Sequence, residues 1–381
     1  MDGLTEGQEL PGAGPVNTEF PESSTARGEV WHLLNDVRNS DIAEILARAA
    51  EHAKQPLQRA LRRAARRAFL WPEEAEEMHA HGESLTVLSG IGPYLNKQII
   101  DWVEDPPQPE SAIPEIRHNF LTLSEARILR SKYPERFNEI HGDFQMHTLW
   151  SDGSGSIQDM AEAAVSCGYS HIAITDHSKG LKIAGGIDED QLAKQREEIA
   201  AVNESTRGNA GKFCVLRSLE VNLSPMGAGD MDQAALDTLD LVLGCFHSAL
   251  RRKEDQTERY LAALRNPSIH ILGHPRGRIY NFRLGLSADW ARVFALAAQL
   301  DKAVEIECYP DRQDLSIALL AIARKEGCRI SMGTDSHGPS QLEFMELGVA
   351  AAIRAKLDPK RILNYMPTDQ LLEWAESVRD R

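Results

Sequence analysis

The sequence has little of what marks secreted, membrane or nucleic-acid-coating proteins. Its 381 residues include only five cysteines, an odd number without CxxC spacing, so we expect reduced core thiols and no disulfide framework. It has no apolar run of membrane-spanning length, and no basic start followed by an apolar stretch, so we expect neither a membrane segment nor a secretion signal. With 42 Lys and Arg against 57 Asp and Glu, a net charge of −15 argues against an extended nucleic-acid footprint. These absences predict a cytoplasmic protein.

What the sequence does contain is a series of short apolar segments in its C-terminal two-thirds. They are residues 143–147, 171–175, 213–220, 241–246, 269–273, 303–308 and 329–334. Nearly continuous runs of Val, Ile, Leu and Phe are typical of strands buried on both faces of a parallel sheet. Helical patterns lie between them, at residues 157–167, 188–202, 254–264, 287–300 and 314–326. This alternation predicts an α/β fold with parallel strands, related to the eight-stranded barrel.

Side chains able to bind a metal lie at or just after the ends of all these segments except the sixth, 303–308. They are His147, Asp176, His177, Glu220, His247, His274, Asp335 and His337, and the loop after the first segment adds Asp152. Barrel enzymes place their chemistry at the C-terminal ends of the strands, so we expect these side chains to meet there.

Each of these residues also has a structural interpretation. His274 before Pro275 could be a hydrogen-bonded core residue, Asp152 before Gly153 a turn residue, and Glu220 a surface carboxylate. Independent core histidines, however, have no reason to recur at successive strand ends. The pattern therefore favours a multi-metal site.

The mixture of imidazole and carboxylate ligands suits Zn²⁺, Mn²⁺ or Fe²⁺. Without Asp176 the set holds five histidines and three carboxylates. These eight ligands exceed the needs of one ion and suit two or three, with a carboxylate that bridges. Three divalent ions against three carboxylates leave a positive site that attracts an anion. Paired ions activate water and stabilise a phosphoryl transition state, so phosphate-ester hydrolysis follows more naturally than redox or acyl chemistry.

The N-terminal part of the chain has a different sequence pattern. We predict a tail without regular structure over 1–28, a helical domain over 29–104, a Pro-rich linker and helical segment over 105–140, and the barrel domain over 141–381. Within the helical domain, residues 85–103 predict two short helices joined by Gly90-Ile91-Gly92, a helix-hairpin-helix whose backbone amides approach a phosphate. A plain helical turn that packs Leu88 and Ile91 is the alternative.

Upstream of this hairpin, arginines recur at spacings of three and four, which places them on one face of a helix. They are Arg59, Arg62, Arg63, Arg66 and Arg67. With Gly90 and Gly92 they form a candidate DNA-binding surface. The alternative is a solvated face balanced by the acidic residues that follow it.

The strand-end residues lie in motifs that resemble the PHP (polymerase and histidinol phosphatase) superfamily, most of all the PHP domain at the C-terminus of bacterial family X DNA polymerases. The motifs are GDFQMHTLWSDG (142–153), ITDHSKGLKIAGG (174–186), LEVNL (219–223), LVLGCFHS (241–248), ILGHPR (271–276), VEIECYPDRQDL (304–315) and ISMGTDSH (330–337). The resemblance covers residues 141–375 and implies a distorted seven-stranded barrel.

The resemblance also implies a trinuclear site. His147, Glu220 and Asp335 would hold the first ion, and Glu220 would bridge to a second held by His247 and His274. Asp152, His177 and His337 would hold the third. Many members of the superfamily begin the first motif with two histidines, whereas this chain has Gln145 at the first position, an additional candidate ligand.

The N-terminal region resembles the small DNA-binding domain that begins family X polymerases, which strengthens the expectation of DNA contact. The polymerase palm should lie between the two domains, but only about 36 residues separate them, far too few for a palm. The chain is therefore expected not to polymerise DNA by that mechanism.

Three functions remain open. The first is a metal-dependent phosphoesterase that acts on DNA ends or gaps, as a 3′–5′ exonuclease or in 3′-end processing during repair. The second is a small-molecule phosphatase of the histidinol-phosphatase type, and the third a non-catalytic DNA-binding module with structural metals. In the enzymatic alternatives, Glu220, Asp335 and His177 would act as ligands of the ions that activate water. Arg276 and Arg312 would contact the substrate phosphate; an ion pair with Asp311 or Asp314 is the alternative for them.

Overall fold

A computed structural model describes residues 37–107, 111–206 and 213–379. The predicted tail over 1–28 lies outside these ranges, as do the first residues of the predicted helical domain. None of the helices in the described ranges combines the length and the apolar character needed to cross a membrane.

The described residues contain parallel strands in two sheets. The strands are β1 (Gly142–Asp143), β2 (His171–Ile174), β3 (Cys214–Arg217), β4 (Glu220–Asn222), β5 (Leu243–Cys245), β6 (Ile271–Leu272), β7 (Ala303–Glu307) and β8 (Arg329–Gly333). The first sheet has the order β1-β2-β3 and the second the order β4-β5-β6-β7-β8. Parallel bridges between His177 and Glu220 and between Met146 and Ser336 connect the two sheets at both of their edges. The strands therefore run around a common centre.

The predicted segment 213–220 provides two strands, so the described chain has eight strands where seven segments were predicted. β3 pairs with β2 up to Arg217, whose backbone amide then donates to Asp240 Oδ2 at 2.8 Å. From Leu219 onward the chain pairs with β5 instead, because the Leu219 carbonyl accepts from the Leu243 amide at 3.1 Å. The change of partner divides one apolar run between two sheets.

Helices alternate with the strands, which confirms the predicted α/β class. They are α1 (Asn39–His52), α2 (Leu57–Ala68), α3 (Ala75–Ala80), α4 (Pro93–Glu104), α5 (Leu123–Lys132), α6 (Pro134–Asn138), α7 (Ile157–Ser166), α8 (Glu189–Thr206), α9 (Gln233–Leu236), α10 (Thr257–Arg265), α11 (Trp290–Gln299), α12 (Ile317–Glu326), α13 (Met345–Arg354) and α14 (Thr368–Arg379). In α7, Ser156 and Asp159 form a capping box at the N-terminus, and Met160 and Ala164 lie on the buried face.

The N-terminal helices pack on the barrel through a shared core. Tyr280, in the loop after β6, is buried among residues of α1 and α2 and lies edge-on to Phe69, with ring centroids 4.7 Å apart. Arg117, in the segment that leads into the barrel, donates to both oxygens of Glu44 at 2.8 and 3.0 Å, and the Asn281 amide donates to the Ile116 carbonyl at 3.3 Å. The helical region thus has a fixed place beside the loops at the C-terminal ends of β6 and β7.

Candidate metal centre

Glu220 lies at the centre of a histidine cluster at the C-terminal ends of the strands. Its Oε1 is 2.8 Å from His274 Nε2 and 2.9 Å from His247 Nε2. Its Oε2 is 3.3 Å from His147 Nε2 and 3.4 Å from His177 Nδ1. Four histidines from four different strand ends therefore converge on one buried carboxylate, as the parallel arrangement predicts.

Two further carboxylates complete the cluster on the side of the first and last strands. Asp335 Oδ1 lies 2.9 Å from His147 Nε2. Asp152 Oδ1 lies 3.4 Å from His337 Nε2, 3.6 Å from His177 Nε2 and 3.9 Å from His147 Nδ1. The structure thus brings together all eight residues proposed as ligands from the sequence.

Asp176, at the end of the second segment, takes a different place. Its carboxylate accepts hydrogen bonds from the Thr148 amide at 2.8 Å, the Thr148 hydroxyl at 2.7 Å and Gln195 Nε2 at 2.7 Å. With its oxygens engaged by these donors, Asp176 fixes the loop that follows the ligand His147.

The sequence interpretation missed three buried polar residues of this site. Cys245 at the end of β5 lies with Glu220 and His274 in a group of possible ligand atoms. Glu305 and Glu307 lie inside β7, where they alternate with Val304 and Ile306. The sixth segment was taken to lack a strong ligand at its end; Glu307 is the last residue of that strand, but it belongs to none of the groups of possible ligand atoms among the described residues. Alternation of acidic and apolar residues in the sequence AVEIE is the signal that could have revealed both carboxylates.

Glu305 and Glu307 differ in their surroundings. Burial raises the pKa of Glu305 to about 8, even though the carboxylate accepts from the His274 amide at 2.7 Å. Glu307 Oε1 accepts from Arg312 Nη1 at 3.1 Å, and burial raises the pKa of Glu307 as well. Its Oε2 has no hydrogen-bond partner among the described residues.

The histidines govern the charge of the central carboxylates. Burial alone would raise the pKa of Glu220, but His177, His247 and His274 outweigh it and hold the pKa well below its usual range. Burial alone would lower the pKa of His147, but its hydrogen bond to Asp335 and the charges of Asp335 and Glu220 raise it to about 9. The protein thus keeps Glu220 in the anionic form that binds a cation.

The polar atoms left without partners fit a metal site. His147 Nδ1, His177 Nδ1 and Gln145 Oε1 are buried and have no hydrogen-bond partner in the described parts of the chain. An unsatisfied buried polar atom costs about 1–3 kcal/mol, so its retention at three adjacent positions calls for a ligand. The possible ligand atoms form four overlapping groups, each within 4.8 Å; three groups mix imidazole with carboxylate or thiol, and the fourth consists of His147, His177 and His337. That chemistry suits transition metal ions.

The two predicted phosphate-binding arginines lie in different places. Arg312 Nη1 donates to Asp335 Oδ2 at 2.6 Å and to Glu307 Oε1 at 3.1 Å, at the edge of the metal-ligand cluster. Arg276 Nε donates to the Leu286 carbonyl at 3.1 Å, and its side chain lines a cavity on the outer side of the loop after β7.

The basic face of α2 is exposed as predicted. Its five arginines, Arg59, Arg62, Arg63, Arg66 and Arg67, are exposed, whereas Leu61, Ala64, Ala65 and Ala68 on the opposite face are buried. Burial raises the pKa of Asp311, and the charges of Arg312 and Arg66 oppose that rise. The basic face therefore lies near the loop that carries Arg312.

The turn at Gly90 lies against the same helix. Gly90 has a φ of +88°, and a Cβ there would come within 3.3 Å of Arg67 Cγ, so glycine permits both the turn and the contact. The element before the turn is a single 3₁₀ turn, Leu85–Val87, and α4 begins directly after Gly92. Gly90 and Gly92 are exposed, while Leu88 and Ile91 pack into the helical core.

Comparison with known proteins places these residues in a family context. Residues 143–307 match the family model of the PHP domain. Over 227 residues the chain is 36% identical to the DNA polymerase/3′-5′ exonuclease PolX of Bacillus subtilis (strain 168), a match that covers 59% of this chain and 39% of that protein. Over 240 residues it is 25% identical to the probable phosphatase YcdX of Escherichia coli O139:H28, covering 62% of this chain and 94% of that protein.

A solved structure of a histidinol phosphate phosphatase from Lactococcus lactis, in complex with zinc, L-histidinol and phosphate, is 16% identical. It covers 56% of this chain and 93% of that one, with a TM-score of 0.41.

Proposed function

Since the chain carries a PHP domain of the metal-dependent phosphoesterase class, we propose that it hydrolyses phosphate esters at DNA ends. The convergence of His147, His177, His247 and His274 on the buried carboxylate of Glu220 carries this proposal. The chain spans only 39% of the length of its polymerase relative, and exonuclease action on DNA is part of the proposal.

The ligands proposed for each ion lie together in the cluster around Glu220. His147, Glu220 and Asp335 would hold one ion, Glu220, His247 and His274 a second, and Asp152, His177 and His337 a third. Gln145, whose Nε2 donates to Glu220 Oε2 at 3.2 Å, is a further candidate at the first. Zn²⁺, Mn²⁺ or Fe²⁺ held by these residues would lower the pKa of a bound water and stabilise the charge of a phosphoryl group.

Arg312 would bind the substrate phosphate beside these ligands. Its guanidinium lies within hydrogen-bond distance of Asp335, and the side chain remains 35% exposed. A guanidinium can donate two parallel hydrogen bonds to phosphate oxygens, which orients the group as well as binding it.

The helical region favours DNA over a small molecule as the substrate. The arginine face of α2 and the turn at Gly90 are exposed, and the charge of Arg66 acts on Asp311 in the loop after β7. Arginine side chains and backbone amides at a helix start are the groups that contact nucleic-acid phosphates. A DNA strand bound to this face would have its end near the metal ligands, and the net charge of −15 favours ends or gaps over long duplex contacts.

A small-molecule phosphatase is the second candidate. The similarity to the probable phosphatase YcdX supports it, because the match covers 94% of that protein. Such an enzyme would use the same metal ligands and would make no use of the α2 arginines.

The experiment compares both substrates on one preparation. The full chain with Mn²⁺ is incubated with a single-stranded oligonucleotide labelled at the 3′ or at the 5′ end, and separately with histidinol phosphate. We expect early release of the 3′ label and a ladder of shortening products from the 5′-labelled strand. The combination Arg62→Glu, Arg63→Glu should slow this reaction and leave hydrolysis of bis-p-nitrophenyl phosphate unchanged. Turnover of histidinol phosphate with intact DNA would instead support the phosphatase.

A further inference from the structure

A cavity of about 210 Å³ lies between the segment 115–120 and the loops after β6 and β7. Arg276, Arg278 and Arg283 line it together with His118 and the start of α12. One water needs roughly 10–15 Å³, so the cavity admits a much larger group. It is separate from the metal-ligand cluster, because the loop that carries Arg312 lies between them and the Arg312 carbonyl accepts from Arg278 Nε at 2.8 Å.

The three arginines have carbonyl partners but no carboxylate in direct contact. Arg276 Nε donates to Leu286 O at 3.1 Å, Arg278 donates to Asn119 O at 2.7 Å, and Arg283 donates to the Gly277 carbonyl. None of the described carboxylates forms an ion pair with them, whereas nearby Arg312 has two such partners. Three guanidinium groups around one cavity therefore leave positive charge that an anion would compensate.

Glu115 also lines the cavity, but it is exposed and forms no ion pair with the three arginines in the described parts of the chain. The buried carboxylate of Asp314 is already engaged. Asp314 Oδ2 accepts from the backbone amides of Arg276 and Gly277, each at 2.7 Å. Burial lowers the pKa of Arg278 to about 10, and the charges of Asp314 and Glu307 oppose that shift. Arg278 thus remains protonated at neutral pH, so the positive charge of the cavity persists under ordinary conditions.

The start of α12 adds hydrogen-bond donors to the same cavity. Ser316 occupies the N-cap position, but its side chain does not cap the helix. The backbone amides of Ile317, Ala318 and Leu319 have no acceptor among the described residues, and Ala318 and Leu319 line the cavity. Free amides and the helix dipole at such an end favour a bound anion.

We propose that this cavity is a second phosphate-binding site, held by Arg276, Arg283 and the first turn of α12. Arg278 supplies charge and joins the segment 115–120 to the barrel, with its guanidinium 3.9 Å from the ring centroid of Phe120. The ligand is a phosphate group, either free in a small phosphorylated molecule or part of a DNA strand. The site binds without reaction, because none of the proposed metal ligands lines it.

Titration of the metal-loaded full chain with inorganic phosphate tests this proposal by calorimetry. We expect two classes of site in the wild type, one at the metal centre and one in the cavity. Arg283→Gln should weaken the cavity class at least tenfold and leave the other class in place. Arg292→Gln is the matched control, since Arg292 is exposed on the same barrel and pairs with Glu258 at 2.9 Å. It should bind phosphate as the wild type does.

Ala318→Asp provides an independent variant at an exposed position. Ala318 is exposed in the first turn of α12, where an acidic side chain complements the helix dipole but repels a bound phosphate. This variant too should lose the phosphate-binding site in the cavity, and a wild-type titration by either folded variant would overturn the proposal.

Addition of a 5′-phosphorylated oligonucleotide then identifies the molecule that supplies the bound phosphate group. Displacement of phosphate from the cavity indicates a DNA phosphate, and retention indicates a free phosphorylated molecule.

Discussion

Arg312 Nη1 lies 2.6 Å from Asp335 Oδ2, so the loop after β7 is linked to the loop after β8 by an ion pair. The carboxylates considered as partners from the sequence, Asp311 and Asp314, are not the ones that Arg312 contacts. The second oxygen of Asp335 lies 2.9 Å from His147, so a single carboxylate connects the proposed phosphate-binding arginine to a proposed metal ligand.

This arrangement predicts that Arg312→Lys impairs catalysis without unfolding the protein. A lysine retains the charge but cannot bind Asp335, Glu307 and a phosphate through one planar fork. We expect kcat/KM for bis-p-nitrophenyl phosphate to fall at least tenfold, or about 1.4 kcal/mol. Arg292→Lys, at an exposed ion pair, is the control. Unchanged steady-state kinetics in the Arg312 variant would assign this residue a purely structural role.

The metal content of the chain is a second prediction. The eight proposed ligands, Glu220 among them, should hold two or three divalent ions per chain, measured by elemental analysis after reconstitution and gel filtration. The double variant Glu220→Ala, His247→Ala should lose at least one ion, because Glu220 contributes to two of the proposed sites. His81→Ala, which alters an exposed histidine of the helical region, should retain them all. Equal metal content in the double variant and the wild type would contradict the assignment.

The arginine face of α2 should govern DNA affinity. Arg59→Glu, Arg62→Glu, Arg63→Glu in one chain should weaken binding of single-stranded DNA at least tenfold and flatten its salt dependence, because fewer phosphate contacts release fewer counterions. The control reverses Arg265, Arg324 and Lys325, which are exposed elsewhere, and changes the net charge equally. If both variants lose affinity alike, the effect is one of overall charge and not of this face.

Substitution is preferable to deletion of the helical region. Tyr280 of the barrel is part of the helical core, and Arg278 and Asn281 bond to the segment 115–120. A barrel without the helices would expose this aromatic surface to water, so loss of activity in a truncated chain would not distinguish DNA binding from folding.

A buried histidine outside the metal cluster predicts acid sensitivity. His171 begins β2, stacks on Phe144 with ring centroids 5.4 Å apart and hydrogen-bonds Thr368 at 3.0 Å, and burial lowers its pKa to about 4. Between pH 6.5 and 4 the unfolded chain binds a proton that the folded chain does not, so the free energy of unfolding falls as the pH falls. The difference amounts to about 3 kcal/mol.

Urea denaturation of His171→Gln across this pH range should therefore give a shallower loss of stability than the wild type shows. The other histidines are common to both proteins, so the comparison isolates His171. Parallel curves for the two proteins would show that His171 does not titrate as described.

Strand-end ligands could be read from the sequence because parallel strands bring their C-terminal ends together, whatever the loops between them do. His147, Glu220, His274 and Asp335 all met for this reason. Glu305 was not predicted because it lies within an apolar run. Its side chain fits there because glycines distant in sequence have no side chains that would clash with it. A Cβ at Gly333 would lie 2.4 Å from Glu305 Oε1.

Side-chain direction was a second limit on prediction. Arg276 and Arg312 each follow a strand end by a few residues, which made them equivalent candidates for phosphate binding. Leu286 O holds Arg276 on the outer side of the loop after β7, and Asp335 holds Arg312 on the inner side. These partners come from segments distant in sequence, so local pattern could not separate the two arginines.

Hydrolysis of bis-p-nitrophenyl phosphate by the wild type and by Glu220→Gln, each with and without chelator, tests whether the metal centre at Glu220 hydrolyses phosphate esters. Glutamine keeps the size of the side chain but removes the charge that four histidines surround. Wild-type activity should disappear on chelation and return with Mn²⁺, whereas the folded variant should remain at background in both conditions. Chelator-resistant hydrolysis by the wild type, or near-normal turnover by Glu220→Gln, would contradict a metal-dependent phosphoesterase centred on this residue.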